Sequence, residues 1–281
     1  MASEQQQRVS TLDVLPQIGM ASVLCSASII EFTIPQVVKL SQSTPAPLPP
    51  APLFPHRAAI FTRSIGVQSA LTVAQFSLVR EVRGAIDEVR GPSPANLSIA
   101  YGMASVPFNA AKYNLIIADV FRYNGRPAPD RPADESALQA GARFWRRNVA
   151  PGLLWSLLRD CCAVGGGIVL GPVVSARLAT ATGSEAAGAP QRLAGGLLAG
   201  TACGLATQLF HNTALTAGRM AETGGTVPGT LECLRRVFEE HGRRAFYVNF
   251  PFRVAIIALW TAILNVTQPF EQTRKRRDGP C

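Results

Sequence analysis

The chain has 281 residues, of which 47% are hydrophobic and only 16% are charged, whereas ordinary soluble domains carry about 25% charged residues. Its 24 glycines and 21 prolines are a normal share for this length, which excludes a collagen-like or grossly disordered chain. The formal net charge is +9, but the basic residues are scattered between apolar runs, so we expect no nucleic-acid partner.

The cysteines and histidines do not have the spacing of a metal site. None of the six cysteines forms a CxxC pair, and the three histidines lie far apart. We therefore expect no metal and no cofactor, and we interpret the thiols as small buried groups. The first ten residues have neither the apolar core of a secretory signal nor the arginines of a transit peptide, so an organelle address would be internal.

Six stretches of about membrane-spanning length follow one another along the chain. They lie near residues 17–40, 57–79, 95–118, 148–174, 190–215 and 250–268. Each is interrupted by one or two polar groups, such as Glu31, Arg63, Lys112, Arg159 with Asp160, or His211. Such groups are costly in lipid but tolerable in a shared interior. The pattern therefore predicts an all-α membrane protein with six transmembrane helices around a polar centre.

Glycines mark two places of predicted close packing. Gly196, Gly200 and Gly204 recur every four residues on one helix face, which lets another helix approach closely. The run 165–167 consists of glycine alone and lacks the Gly-Lys-Ser/Thr of a phosphate loop. We interpret it as a close-packed or bent part of the fourth span.

The segments between the spans differ in character. Residues 43–55 form a Pro-rich connector that cannot be helical, and residues 124–136 form a polar linker that leads towards a short helix. Residues 230–241 place four apolar side chains on one helical face, and Gly242 ends the helix. These side chains are Leu231, Leu234, Val237 and Phe238. We expect this amphipathic helix to lie at a membrane surface or against the bundle.

Three units can be laid over one another: 1–90, 91–180 and 181–281. Each contains a span, a loop with some surface helix (replaced in the first unit by the Pro-rich connector), and a second span. The third unit is the clearest, with AGGLLAGTACGLATQLFHNTALTAGRM followed by PGTLECLRRVFEEHGRRAFYVNFPFRV. The first unit contains FTIPQVVKLSQ. The second contains SVPFNAAKYN and later GARFWRRNVAP. This arrangement resembles the mitochondrial carrier family. The resemblance implies three tandem two-helix repeats, short amphipathic surface helices and the mitochondrial inner membrane.

The chain departs from the family at the odd-helix motif, Pro-x-acid-x-x-base-x-base, whose acids and bases pair between odd helices and close the matrix side. Positions that still match are Pro35, Pro107, Lys112 and Arg219. The three acidic positions hold Val37, Asn109 and Ala214. Without these acids the gate cannot close by the family's usual ion-pair mechanism. Asn212 replaces the third proline, which predicts a straighter fifth helix.

The opposite gate of the family uses an aromatic-acid-x-x-base motif in the even helices. Phe76 and Arg80 keep the aromatic residue and the base but lack the acid between them. Phe270, Glu271 and Arg274 fit the whole motif. A single acid–base pair does not make a ring of three, so this second gate also departs from the family.

Two arginines are candidates for a central binding site, Arg63 in the second span and Arg159 in the fourth. They could attract an anionic metabolite or the head group of an acidic phospholipid such as cardiolipin. Alternatively, they bond to helix ends or to Glu31 inside a static bundle, which we favour. Arg253 matches a structural arginine of the family. No catalytic arrangement of nucleophile and base is present, so we expect no enzyme.

The missing acids favour a degenerate carrier-fold protein that has lost ordinary transport. It would serve as a structural or accessory subunit of an inner-membrane assembly, either the respiratory chain or ATP synthase, with membrane lipids and other subunits as partners. The Pro-rich connector and the basic tail TRKRRDGPC are docking candidates or simply solvated ends. The alternatives are an active carrier that exchanges a small anionic metabolite, and an outer-membrane relative.

Overall fold

The computed structural model describes residues 14–41, 49, 54–124, 135–224, 227–248 and 250–270. Every regular element in these ranges is helical. The α-helices are α1 (Leu15–Ser41), α2 (Arg57–Arg90), α3 (Pro94–Tyr123), α4 (Ala137–Phe144), α5 (Leu153–Asp160), α6 (Gly166–Ala181), α7 (Ala189–Ala206), α8 (Gln208–Gly224), α9 (Thr230–His241) and α10 (Phe250–Thr267). π-Helical segments follow α4 and α5, at Trp145–Val149 and Cys161–Gly165.

Three helices of the described chain are long and apolar enough to cross a membrane: Leu15–Val38, Leu153–Ala181 and Phe250–Thr267. The bent pair of α7 and α8 makes a fourth candidate if it counts as one span. The described part of the chain is therefore all-helical, with three or four candidate spans by length and composition. Helices α2 and α3 have 34 and 30 residues but carry more polar side chains.

The long helices pack against one another in chain order. α1 packs on α2, and α2 packs on α3. α3 packs on the π-helical segment Cys161–Gly165 and on α5 and α6, which flank that segment. α6 then packs on α7, α7 on α10, and α10 returns to α1. The interior contains a hydrophobic cluster from α1, α2, α3, α6 and α10, with the buried rings of Phe76, Tyr101, Trp260 and Phe270.

The expectation of a straighter fifth helix is wrong. α7 ends at Ala206, α8 begins at Gln208, and the two helices are bent by 56°. The guanidinium of Arg253 on α10 donates to the Gly204 carbonyl (2.5 Å), to Thr207 Oγ1 (2.7 Å) and to Gln208 Oε1 (3.1 Å). A side chain from α10 thus donates hydrogen bonds to the carbonyl and the polar side chains at the break between α7 and α8.

The glycine run lies where two helices approach closely, as predicted. A Cβ atom on Gly165 would lie 2.9 Å from Ser98 Cα of α3, and one on Gly167 would lie 2.6 Å from Thr261 Oγ1 of α10. The π-helical segment 161–165 ends at the same point. At Gly165 and Gly167 the span therefore has no room for larger side chains.

The amphipathic helix at 230–241 is confirmed as α9, which ends just before Gly242. Its predicted apolar face lies only partly against the bundle. Cys233 and Val237 are buried, whereas Leu231 is 77% exposed and Phe238 is also exposed. The short helix after the polar linker is confirmed as α4, which begins at a capping box formed by Ser136 and Gln139.

Candidate functional site

A line of polar side chains runs along the buried face of α2, at the four-residue spacing that places side chains on one side of a helix. Ser64 Oγ donates to Asp119 Oδ2 of α3 (3.0 Å), and Gln68 Nε2 donates to the Lys112 carbonyl (2.9 Å). Thr72 Oγ1 lies 3.1 Å from Ser26 Oγ of α1. The interface between α1, α2 and α3 therefore includes a polar line beside its buried apolar cluster, which explains the low apolarity of α2.

Lys112 is fully buried and its ammonium contacts neutral groups. Nζ donates to Gln75 Oε1 (2.5 Å) and lies 3.4 Å from Thr72 Oγ1. It also lies 4.9 Å from the centroid of the Trp260 ring, in a cation–π arrangement. Gln75 is oriented by a second bond, from its Nε2 to Ser105 Oγ (2.7 Å). The contacts of this ammonium are thus an amide, a hydroxyl and an aromatic face.

The second candidate arginine, Arg159, lies at the end of α5 and binds its own neighbour. Its Nε donates to Asp160 Oδ1 (2.6 Å) and its Nη2 to Asp160 Oδ2 (3.0 Å). Asn109, at an acidic position of the family motif, donates to the same Asp160 Oδ2 (3.0 Å). The buried carboxylate is therefore shared between an arginine and an amide, and it links α5 to α3.

The first candidate arginine, Arg63, also meets a carboxylate. Its Nε lies 3.5 Å from Asp119 Oδ1 of α3, at a half-exposed position. Glu31 pairs with Arg57 at the start of α2. The structure thus gives each candidate arginine a carboxylate partner, and the sequence pattern had not singled out Asp119.

Three ion pairs between described helices join neighbours in the chain. Glu31–Arg57 joins α1 to α2, and Arg63–Asp119 joins α2 to α3. Arg219, the matching base of the third unit, lies 2.9 Å from Glu240 of α9. A gate of the family type would join α1, α3 and α8 to one another instead.

The other remnant motif positions fall in several places. Pro35 and Pro107 lie inside α1 and α3. Phe270 is buried just beyond α10. Glu271 and Arg274 lie outside the described residues, as do the basic tail and most of the Pro-rich connector.

The glycine stripe of α7 faces α10. A Cβ on Gly196 would lie 2.5 Å from Ala262 Cα, and one on Gly200 would lie 2.7 Å from Ala258 Cα. At Gly204 the nearest atoms are at 3.4 Å, an ordinary contact. Gly196 and Gly200 thus allow the helices to approach, whereas Gly204 supplies the carbonyl that Arg253 binds.

No group of three or more His, Cys, Asp or Glu side chains in the described ranges could hold a metal ion. The five cysteines described there are free thiols. On α9, burial raises the pKa of the Cys233 thiol, and the charge of Glu232 raises it further. This thiol is therefore a weak nucleophile at neutral pH.

Comparison with known proteins adds no relative: no family model, no curated protein and no solved structure matches the chain. The resemblance to the mitochondrial carrier family stays a prediction from the motifs.

Proposed function

We propose that this chain is a divergent protein of the mitochondrial carrier fold that has lost ordinary transport and serves as a structural or accessory subunit of an inner-membrane assembly. The assembly would be the respiratory chain or ATP synthase. The fold would have six transmembrane helices in three tandem two-helix repeats.

The packing order of the helices supports this arrangement. Six helical units follow one another, with α5–α6 and α7–α8 each counted as one, and the last packs on the first. The short helices α4 and α9 come at corresponding places, after α3 and after α8. α2 and α3 would also cross the membrane in such a bundle, because a line of their polar side chains, including Gln68, Thr72 and Lys112, is buried between the helices.

The contacts of Lys112 are the main observation that supports a loss of transport. Alternating access needs two arrangements of similar energy around a central site. Here the retained base is held between Gln75, Thr72 and Trp260, all neutral groups. Arg159 and Asp160 likewise satisfy each other next to Asn109. Because these interior polar groups all have partners in the present arrangement of the helices, they favour a bundle that keeps this arrangement.

Lipid contact is part of the proposal. α4 and the turn after it are exposed, with Leu138 84% exposed and Trp145 half-exposed beside Arg146 and Arg147. Apolar and aromatic side chains beside arginines fit the surface of a membrane that contains acidic phospholipid.

The proposal is tested by purifying a tagged chain from mitochondria in mild detergent and running it on a native gel. A subunit should migrate in a high-mass band with a fixed set of co-purifying proteins. A chain that migrates near its own mass of 29.9 kDa would contradict the proposal. Mitochondrial fractionation in the same experiment distinguishes the inner from the outer membrane.

A second candidate function, exchange of a small anionic metabolite, is favoured by two irregular helices. The α7–α8 unit is bent by 56°, and a π-helical segment directly follows Arg159 and Asp160. Broken spans line the binding sites of many transporters, and π-helical turns are frequent at functional sites. Saturable exchange in proteoliposomes that is abolished by Arg63→Ala or Arg159→Ala would favour this candidate over the accessory subunit.

A further inference from the structure

The three residues after α10 turn back into the bundle. α10 ends at Thr267, and Gln268 adopts a φ of 49°, a left-handed conformation that is rare for residues other than glycine. The turn brings Phe270 into the interior, where it is only 4% exposed. We call residues 268–270 the C-terminal latch.

Aromatic rings from two helices, α2 and α3, contact Phe270. Its ring centroid lies 5.3 Å from that of Phe76 on α2 and 6.5 Å from that of Tyr101 on α3, both edge to face. Phe76 in turn contacts Trp260 of α10 at 6.4 Å. The latch therefore places its ring at the end of a column of aromatic side chains that runs into the interior.

Polar contacts hold the backbone of the latch on one side. Arg80 Nη1 donates to the Pro269 carbonyl (3.1 Å), and Arg83 Nη1 donates to the Phe270 carbonyl (3.0 Å). Both arginines come from α2, one turn apart. The two carbonyls follow the end of α10, where the helix itself no longer supplies donors.

The other side of the latch is tied to α7, and the last turn of α10 before it is tied to α6 and α7. Arg192 Nη1 of α7 donates to Gln268 Oε1 (2.5 Å). Asn265, one turn earlier, donates to the Arg192 carbonyl (2.6 Å) and to Ser175 Oγ of α6 (2.8 Å). The latch thus crosses the bundle from α7 to α2 and α3.

We propose that the C-terminal latch closes this end of the bundle and keeps water out of the interior between α1, α2 and α3. The closed end is the one where α1, α3 and α7 begin and where α2 and α10 end. For this end to open, Phe270 must leave its site between Phe76 and Tyr101, and the two arginine–carbonyl bonds must break. This inference does not depend on the proposed function, since either a fixed subunit or a carrier could have such a latch.

Ser22 is a suitable reporter position. It is fully buried on α1, one turn nearer this end than Ser26, which bonds to Thr72. Ser22→Cys exchanges a hydroxyl for a thiol of similar size. In a chain whose native cysteines are replaced by alanine or serine, its reaction with a charged methanethiosulfonate reports the access of water. Thr213→Cys, at a buried position of α8, reports access elsewhere in the bundle.

With the latch intact, we expect both reporters to react slowly. Phe270→Ala should speed the reaction at Ser22→Cys by about tenfold or more, because local opening of this end becomes easier, and leave Thr213→Cys protected. The double variant Arg80→Met with Arg83→Met should act in the same direction, and Phe270→Leu should have a smaller effect. Unchanged protection of Ser22→Cys in both variants would overturn the inference. Equal exposure of both reporters would also overturn it, since Phe270 would then support the whole bundle rather than one end.

Discussion

Arg253 is expected to be the main brace of the bent α7–α8 unit, and replacing it removes all three contacts at the break. The guanidinium is buried and donates to a carbonyl, a hydroxyl and an amide oxygen within 3.1 Å. Arg253→Met keeps the length and the apolar part of the side chain. It therefore removes the hydrogen bonds with little change in packing.

The magnitude follows from the number and kind of these bonds. Bonds to a charged donor contribute about 1.5–3 kcal/mol each in soluble proteins, but interhelical bonds in membranes average about 0.6 kcal/mol. Three bonds are lost, and the Gly204 carbonyl keeps only a long bond from Thr207 Oγ1 (3.4 Å), which gives an expected loss of unfolding free energy of about 2–4 kcal/mol. Arg253→Lys should lose about half as much, because an ammonium cannot reproduce the planar fork of a guanidinium.

The assay is reversible unfolding of the purified chain in mixed micelles by titration with dodecyl sulfate, followed by circular dichroism. Arg177→Met on α6 is the matched control, since Arg177 is exposed and its removal should change stability by less than about 0.5 kcal/mol. If Arg253→Met loses no more than the control, the bend does not depend on this arginine and the reasoning is refuted.

Three further predictions concern packing, charge and reactivity. Gly196→Val should cost about 2–3 kcal/mol, because a Cβ there would lie 2.5 Å from a backbone carbon of α10, whereas Gly204→Ala should be neutral within about 1 kcal/mol. Lys112→Met should change the unfolding free energy by less than about 2 kcal/mol, because its hydrogen-bonding partners are neutral and no directly paired carboxylate is left behind. Cys233 should react with maleimide more slowly than an exposed Leu231→Cys at the same pH. The raised pKa of Cys233 means that a smaller fraction of it is thiolate at that pH.

Each of these has a contradicting outcome. Equal losses at Gly196→Val and Gly204→Ala, measured by the same titration, would show that α7 and α10 are not in close contact. A loss above about 4 kcal/mol for Lys112→Met would indicate an acidic partner for this base. Identical pH profiles for the two thiols of α9 would show that Cys233 is not buried.

Local sequence signals predicted the elements that local chemistry determines. The apolar stretches became long helices, and α9 has the predicted bounds because a glycine follows its last residue. The sequence left open whether the apolar face of α9 lies against the bundle or at a membrane surface. In the structure the small Cys233 fills the contact with the bundle, while Leu231 of the apolar face is exposed.

Long-range contacts could not be predicted from the chain. The bend at Thr207 is held by Arg253, 46 residues away, and no proline marks it. Lys112 contacts the amide of Gln75 and the indole of Trp260, and neutral partners such as these leave no pattern of opposite charges in the sequence. The pairing of Arg63 with Asp119 depends on the register of α2 against α3, which the apolar periodicity leaves undetermined.

The central claim, that the bundle keeps one arrangement, is tested most directly by pulsed electron–electron distance measurements in lipid membranes. Spin labels at Leu138→Cys and Leu231→Cys, both highly exposed, report on the short helices that follow α3 and α8. The account predicts one narrow distance distribution, unchanged by a panel of anionic metabolites. Two populations, or a shift when a metabolite is added, would contradict it and indicate a bundle that moves.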